Sequence, residues 1–196
     1  FTVTAGVQAS ISSISPSSAV VGSGNTTITI TGSGFEPSST AYWGINRSIL
    51  TTTYVNSTTL TAVAASTRLV TAGTFDIVVR NTCGYSNAVP FTVIGFSITS
   101  VSPSSAVACG NATTITVTGI GFQVEGSPPA TVYWNSTALA TLSRTTTQVA
   151  ATVPASLLAS SGTASITVRQ NGLTSNSLPF TIAAAVVTIS GVSPSS

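Results

Sequence analysis

The 196-residue chain has no Lys, no His and no Met, and its charge is confined to five Arg and three carboxylates. Without His, Ser-His-Asp triads and imidazole metal sites are excluded. Of the carboxylates, Glu36 and Glu125 fall in corresponding loops of two repeats, described below, and Asp76 falls in a strand segment. None has a natural partner within its repeat, so neither the paired acid–base chemistry of glycoside hydrolysis nor a Ca²⁺ site is expected. The sequence reads as a non-enzyme with no cofactor. A net charge of +2 from dispersed Arg lacks the clustered phosphate contacts that nucleic-acid binding demands. The longest apolar run, Ile182 to Val187, falls far short of the roughly 20 residues that span a bilayer, so no membrane insertion is expected. A basic–apolar–small leader is also missing from this stretch. So little charge poses a solubility problem, because charges of both signs normally keep chains apart.

What is abundant is Thr, Ser, Ala, Val and Ile, punctuated by 16 Gly and 9 Pro. β-Branched side chains are stiff at χ1 and suit a pleated surface, which points to an all-β protein. Disordered chains are poor in apolar residues and rich in charge; this one is 42% hydrophobic and should fold. It also repeats itself. "GNTTITITGSGF" (24–35) matches "NATTITVTGIGF" (111–122), "AYWG" (41–44) matches "VYWN" (132–135), "AGTFDIVVRN" (72–81) matches "SGTASITVRQ" (161–170), and "SNAVPFTV" (86–93) matches "SNSLPFTI" (175–182). The offset moves from 87 to 91 and back to 89, and the extra residues fall in the Gly/Pro-rich "QVEGSPPA" (123–130). Insertions of that kind belong in loops. Within each repeat "TTITITG", "TFDIVVR" and "PFTV" alternate apolar and polar residues at the strand period. "NTCGYS" (81–86) and "QNGLTS" (170–175) are the turns of the last hairpins. About seven short strands in about 87 residues imply an antiparallel sandwich of immunoglobulin type.

The opening "I-x-x-I-x-P-x-S", then "T-I-T-I-T-G-x-G-F", an aromatic strand and a closing "S-N-x-x-P-F-T-V" resemble the IPT/TIG family of immunoglobulin-like domains, twice over. The resemblance implies two tandem seven-stranded β-sandwiches. It does not imply one function, since the family occurs in cell-surface receptors, secreted microbial surface and carbohydrate-active proteins, and some transcription factors. On this reading residues 11–95 and 96–185 are the two domains. Residues 1–10 look like the last strand of a preceding repeat and 186–196 like the first strand of a following one. Chain continuity and exchange of terminal strands between subunits both fit that pattern.

Two Cys depart from the shared pattern. Cys83 aligns with Gly172 at the tip of the last hairpin, and Cys109 aligns with Gly22 at the first turn. In a head-to-tail pair these turns face outward at opposite ends, about 60–80 Å apart at ~3.3 Å per strand residue. A disulfide needs Cα atoms within about 7 Å, so the expected bond runs between copies, Cys109 of one to Cys83 of the next, outside the reducing cytosol. Free thiols and a fold-back that pairs them internally are the alternatives. Five Asn match N-x-[ST]: Asn25, Asn46, Asn56, Asn111 and Asn135. N-linked glycans there would hydrate a surface poor in charge. In Tyr42-Trp43 and Tyr133-Trp134, alternation puts one ring inward; Trp43 and Trp134 are the expected core aromatics, with the Tyr outward toward a lateral contact or a sugar.

Three function classes remain. The first is a structural unit of an extracellular or cell-surface filament, with further copies of itself as end-to-end partners. The second is a ligand- or carbohydrate-binding module of an adhesin, a receptor or a secreted polysaccharide-active enzyme. The third, a DNA-binding or dimerising domain, is the weakest because basic residues are so few.

Overall fold

The computed structural model describes residues 7–124 and 128–186. Much of the two linking segments expected at the ends, together with Glu125, lies outside these residues. The chain divides into two compact units between Gly95 and Phe96.

The first unit contains β1 (Ser10–Ser15), β2 (Ser18–Val20), β3 (Thr26–Ser33), β4 (Thr40–Trp43), β5 (Ser48–Ile49), β6 (Thr51–Asn56), β7 (Thr59–Ala64), β8 (Gly73–Asn81), β9 (Gly84–Tyr85) and β10 (Val89–Ile94). They form one sheet in the order β1-β3-β7-β6 and a second in the order β2-β10-β8-β4-β5, with β9 extending the β8 hairpin. The second unit repeats this with β11 (Ser97–Ser102), β12 (Ser105–Val107), β13 (Thr113–Ile120), β14 (Thr131–Trp134), β15 (Thr137–Ala138), β16 (Ala140–Arg144), β17 (Gln148–Val153), β18 (Gly162–Gln170), β19 (Leu173–Thr174) and β20 (Leu178–Ala183). Each is thus a sandwich of seven principal strands with three short additions. One addition arises because the first strand breaks at Ser15-Pro16 or Ser102-Pro103, both cis. Beyond the break the chain continues as β2 or β12, parallel to the last strand of the other sheet.

The period-2 reading places the core. Ile28, Ile30, Leu60, Ala62, Ile77, Val79 and Phe91 are fully enclosed in the first domain, and Ile115, Ala151, Ile166, Val168 and Phe180 in the second. Thr27, Thr29 and Thr31 alternate to the outer face.

The "TGxGF" block is explained by the seat of the first strand. A Cβ on Gly32 would lie 2.0 Å from the Ser10 carbonyl oxygen and 2.7 Å from the Phe35 ring; on Gly119 the corresponding distances are 2.2 Å from Ser97 and 2.6 Å from Phe122. The second glycines, Gly34 and Gly121, have φ of 72° and 74°. The first strand bulges between Ile11 and Ser13, and between Ile98 and Ser100. At the bulge an asparagine replaces a neighbouring strand. Asn87 accepts from the Ile11 amide and donates to the Ile11 carbonyl, both at 2.9 Å, and Asn176 does the same for Ile98 at 2.9 and 3.0 Å. The preceding serines act on the other side: the Val79 and Val168 amides donate to the hydroxyls of Ser86 and Ser175 at 2.9 Å. The "SN" of the closing motif is therefore a backbone clamp.

Residues 7–10, assigned from the sequence to a linking strand, are held by the first domain. Ser10 opens β1, Ala9 is 3% exposed, and the Val7 carbonyl accepts from Asn81 Nδ2 at 2.7 Å.

Gly119→Ala is expected to destabilise the second domain by about 1–3 kcal/mol, the usual cost of overpacking, whereas Gly24→Ala, with nothing within 4 Å of the added carbon, should be neutral. Urea titration checks both. Asn176→Ala should cost a similar ~1–3 kcal/mol by stripping the Ile98 backbone of its partners, and hydrogen exchange at the Ile98 amide reads the loss directly.

Candidate functional site

Each domain has an entry end, where the chain arrives, and an exit end, where it leaves. Cys83 lies at the entry end of the first domain. It sits at the tip of the β8–β9 hairpin, where its amide donates to Asn81 Oδ1 at 2.9 Å. The same Asn81, 5% exposed, donates to the carbonyls of Val7 and Gly34 and so ties the hairpin to the arriving chain. Gln170 occupies the same position in the second domain and donates to the Gly121 carbonyl, the counterpart of Gly34, while accepting from the Gln123 amide.

Cys109 lies at the exit end of the second domain. The Ala108 amide donates to the Ala183 carbonyl at 2.7 Å, and the Cys109 amide to the Leu158 carbonyl at 2.8 Å. Gly22 donates to Leu69 at 2.8 Å in the same way. The turn needs a left-handed residue: Gly22 has φ 76° and Cys109 has φ 59°. Glycine adopts that region freely, whereas a side chain there costs of order 1 kcal/mol. Cys109 is a side chain that the turn would do better without.

Both thiols are free and exposed. The equivalent places at the exit end of the first domain and the entry end of the second are Gly22 and Gly172, and those two ends are already joined by the chain at Gly95–Phe96. The thiols thus stand at the entry end of the first domain and the exit end of the second, and not at the two ends that meet at Gly95–Phe96.

All five candidate acceptor asparagines are exposed. In three of them the side-chain oxygen is engaged: Asn25 accepts from Ser66 N, Asn56 from the amide and hydroxyl of Thr58, and Asn135 from Ser165 N, each at 2.9 Å. These bonds hold the amide while leaving its nitrogen, the atom that carries an N-glycan, unused among the described residues. Asn46 and Asn135 occupy the same hairpin but not the same position. Asn135 takes the left-handed place of Gly44, at φ 53° against 67°, and Asn46 lies further along the longer loop of the first domain.

The aromatic assignment holds. Trp43 and Trp134 are 5% and 4% exposed. Trp43 stacks on Phe75 at 5.1 Å and leans on Phe91 at 5.2 Å, and Trp134 leans on Phe180 at 5.0 Å. Tyr42 and Tyr133 point to the outer face. There the structure adds a feature that the sequence reading missed: Arg47 lies 3.9 Å and Arg80 5.6 Å from the Tyr85 ring, and Arg169 lies 4.2 Å from the Tyr133 ring. Its trace in the sequence is the shared Arg of "IVVRN" and "ITVRQ".

A model of the IPT/TIG domain matches residues 9–93 and 97–182. No curated protein matches the sequence. Among solved structures, the plexin A4 extracellular region is 15% identical with a TM-score of 0.44 over 91% of this chain and 18% of that one. The Bacteroides ovatus glucan-locus protein SGBP-B, solved with a mixed-linkage heptasaccharide, is 16% identical with a TM-score of 0.32 over 86% and 43%. Domains 5–6 of the S-layer protein SbsC are 12% identical with a TM-score of 0.30 over 92% and 99%. The chain spans less than a fifth of the plexin region it matches. With both of its sandwiches matched from first strand to last, the chain belongs to the IPT/TIG domain family, of which it carries two tandem copies.

Proposed function

We propose that this chain is a structural unit of an extracellular or cell-surface filament, joined end to end with further copies of itself. The observation that carries the reading is the placement of the two thiols. They stand where the sister domain has Gly, at the entry end of the first domain and the exit end of the second, and one of them sits in a left-handed turn that favours glycine. The fold needs neither. A disulfide between Cys109 of one copy and Cys83 of the next would place a covalent tie at every joint between copies. Its formation removes one proton and one electron from each thiol, passed to an external disulfide or to dioxygen, as the oxidising extracellular space allows. Lent terminal strands remain a second means of joining copies.

N-glycans on Asn25, Asn46, Asn56, Asn111 and Asn135 would supply the hydration that a chain with 4% charged residues otherwise lacks. No catalytic step, metal or cofactor enters this reading.

Native material kept free of reductant is expected to yield a cross-linked peptide joining Cys83 to Cys109, with oligomers that collapse on reduction. Monomers with both thiols free would overturn the covalent joint. Cys109→Gly is the informative variant: it should abolish the cross-link while leaving the turn as stable as before or more so by up to ~1 kcal/mol. Cys109→Ala should match it in cross-linking but not in stability.

Glycan occupancy is read from the same peptides. Additions are expected at the exposed acceptors Asn25, Asn46, Asn56, Asn111 and Asn135. Bare asparagine at all five positions would remove the glycan from the account.

A further inference from the structure

Of the five Arg, two donate to backbone carbonyls: Arg68 to Ile49 at 3.0 Å and Arg144 to Ala130 at 2.6 Å. The other three, Arg47, Arg80 and Arg169, lie over tyrosine rings and form no ion pair among the described residues. A guanidinium stacked on an aromatic face is held in place while its N–H edge stays available to an anion. In a chain this poor in charge, two of these groups recur at one place. Arg80 pairs in register with Thr40, and Arg169 with Thr131. Each flanks the outward Tyr of its domain and borders a shallow cleft.

The first cleft, of about 250 Å³, is lined by Thr40, Tyr42, Arg80 and Thr82; the second, of about 350 Å³, by Thr131, Tyr133, Arg169 and Thr174. Ligand clefts run from about 300 to 1,000 Å³; the second lies at the small end of that range and the first just below it. The packing of the sandwich does not call for an Arg on an outer face. Beside Arg169 on the same face, directly across from Tyr133, the Thr167 hydroxyl is buried without a partner.

We infer that these two clefts are binding sites for an acidic polysaccharide, each taking one uronic-acid residue. The guanidinium, held on a Tyr ring, meets the carboxylate with its N–H edge in a two-point contact, and the Thr hydroxyls reach the hydroxyl groups of the pyranose. A single guanidinium with hydroxyls and a ring suits a sugar carboxylate better than a nucleic-acid backbone, which needs clustered cations.

The two clefts are not equal. In the first, Glu36 stands at the rim, its carboxylate accepting from the Thr82 hydroxyl at 2.9 and 3.0 Å, and it opposes an anion. The position equivalent to Glu36 in the second domain is the neutral Gln123. Arg169 borders the larger of the two clefts and is the dominant contact of the proposal. The site is independent of the thiol joint and stands whether or not copies are linked.

Calorimetry of the full chain under reductant, with a glucuronic-acid hexamer, tests this. The acidic hexamer should bind, the neutral glucose hexamer at least about tenfold more weakly, and added salt should weaken the acidic one. Arg169→Gln should reduce affinity for the acidic hexamer by about tenfold or more, and Arg80→Gln by less. Arg169→Lys, which keeps the charge and stem but loses the planar fork, should also bind several-fold more weakly; it is a second variant if the first fails to fold. No binding of the acidic hexamer, equal binding of the neutral one, or full affinity in either folded Arg169 variant overturns the site. Inorganic sulfate competing as tightly as the hexamer would reduce it to a free-anion site and overturn the sugar assignment.

Discussion

The first strand of each domain is held on one side by a ladder to the next long strand and on the other by the amide of a single asparagine. The rest of the sandwich depends on this seat. β1 and β11 must lie close enough to cover the core with Ile11, Ile14, Ile98 and Val101, then leave their sheet and continue along the opposite one. Close approach demands Gly32 and Gly119, because any side chain there would collide with the strand's own carbonyl. β1 and β11 are edge strands, so on the side away from β3 and β13 the Ile11 and Ile98 backbone faces no neighbouring strand, and Asn87 and Asn176 supply both bonds. Buried backbone groups left unpaired are costly, so these two amides hold together a motif that is far apart in sequence.

Charge plays little part in this stability, which changes what charge can be used for. Polar needs inside each domain are met by neutral amides and hydroxyls: Asn81 and Gln170 at the entry ends, Ser86 and Ser175 beside the last strand. None of these groups titrates near neutral pH, so the fold itself should be insensitive to pH across that range. Among the described residues the few arginines form no structural ion pair. Three of them rest on tyrosine rings, a contact worth roughly 0.5–1 kcal/mol at exposed sites that organises the side chain without neutralising it.

Much of this was legible in the sequence because it follows from period and repetition. Alternation in "TTITITG" assigned Ile28 and Ile30 to the core, and the same logic sent Trp43 inward and Tyr42 outward. Alignment of the halves put Cys83 and Cys109 on turns where the other copy has glycine. Less legible was whatever depends on register between distant segments. Asn87 bonds Ile11 across 76 positions, and Arg169 meets Tyr133 only because β14 and β18 pair with Thr131 opposite Arg169. A single sequence shows both residues of such a pair but not the offset that brings them together. The "SN" before the last strand was visible as a recurring dipeptide, and its recurrence was a signal that only the backbone clamp explains.

Each domain also serves as the other's control, which separates what the fold requires from what it merely tolerates. Both copies keep the paired glycines, the clamp, the buried tryptophan and the buried amide at the entry end, so these belong to folding. The copies differ at Cys83 against Gly172, Cys109 against Gly22, Tyr85 against Thr174, and Glu36 against Gln123. Since one sandwich closes equally well with either choice, packing is not the reason for the difference. Cys109 sharpens the point: it keeps the left-handed backbone of its glycine counterpart and so bears a conformational cost that the sister turn avoids. The folding of the domain therefore gives no reason for a side chain at position 109, since the sister turn closes with glycine in the same backbone conformation.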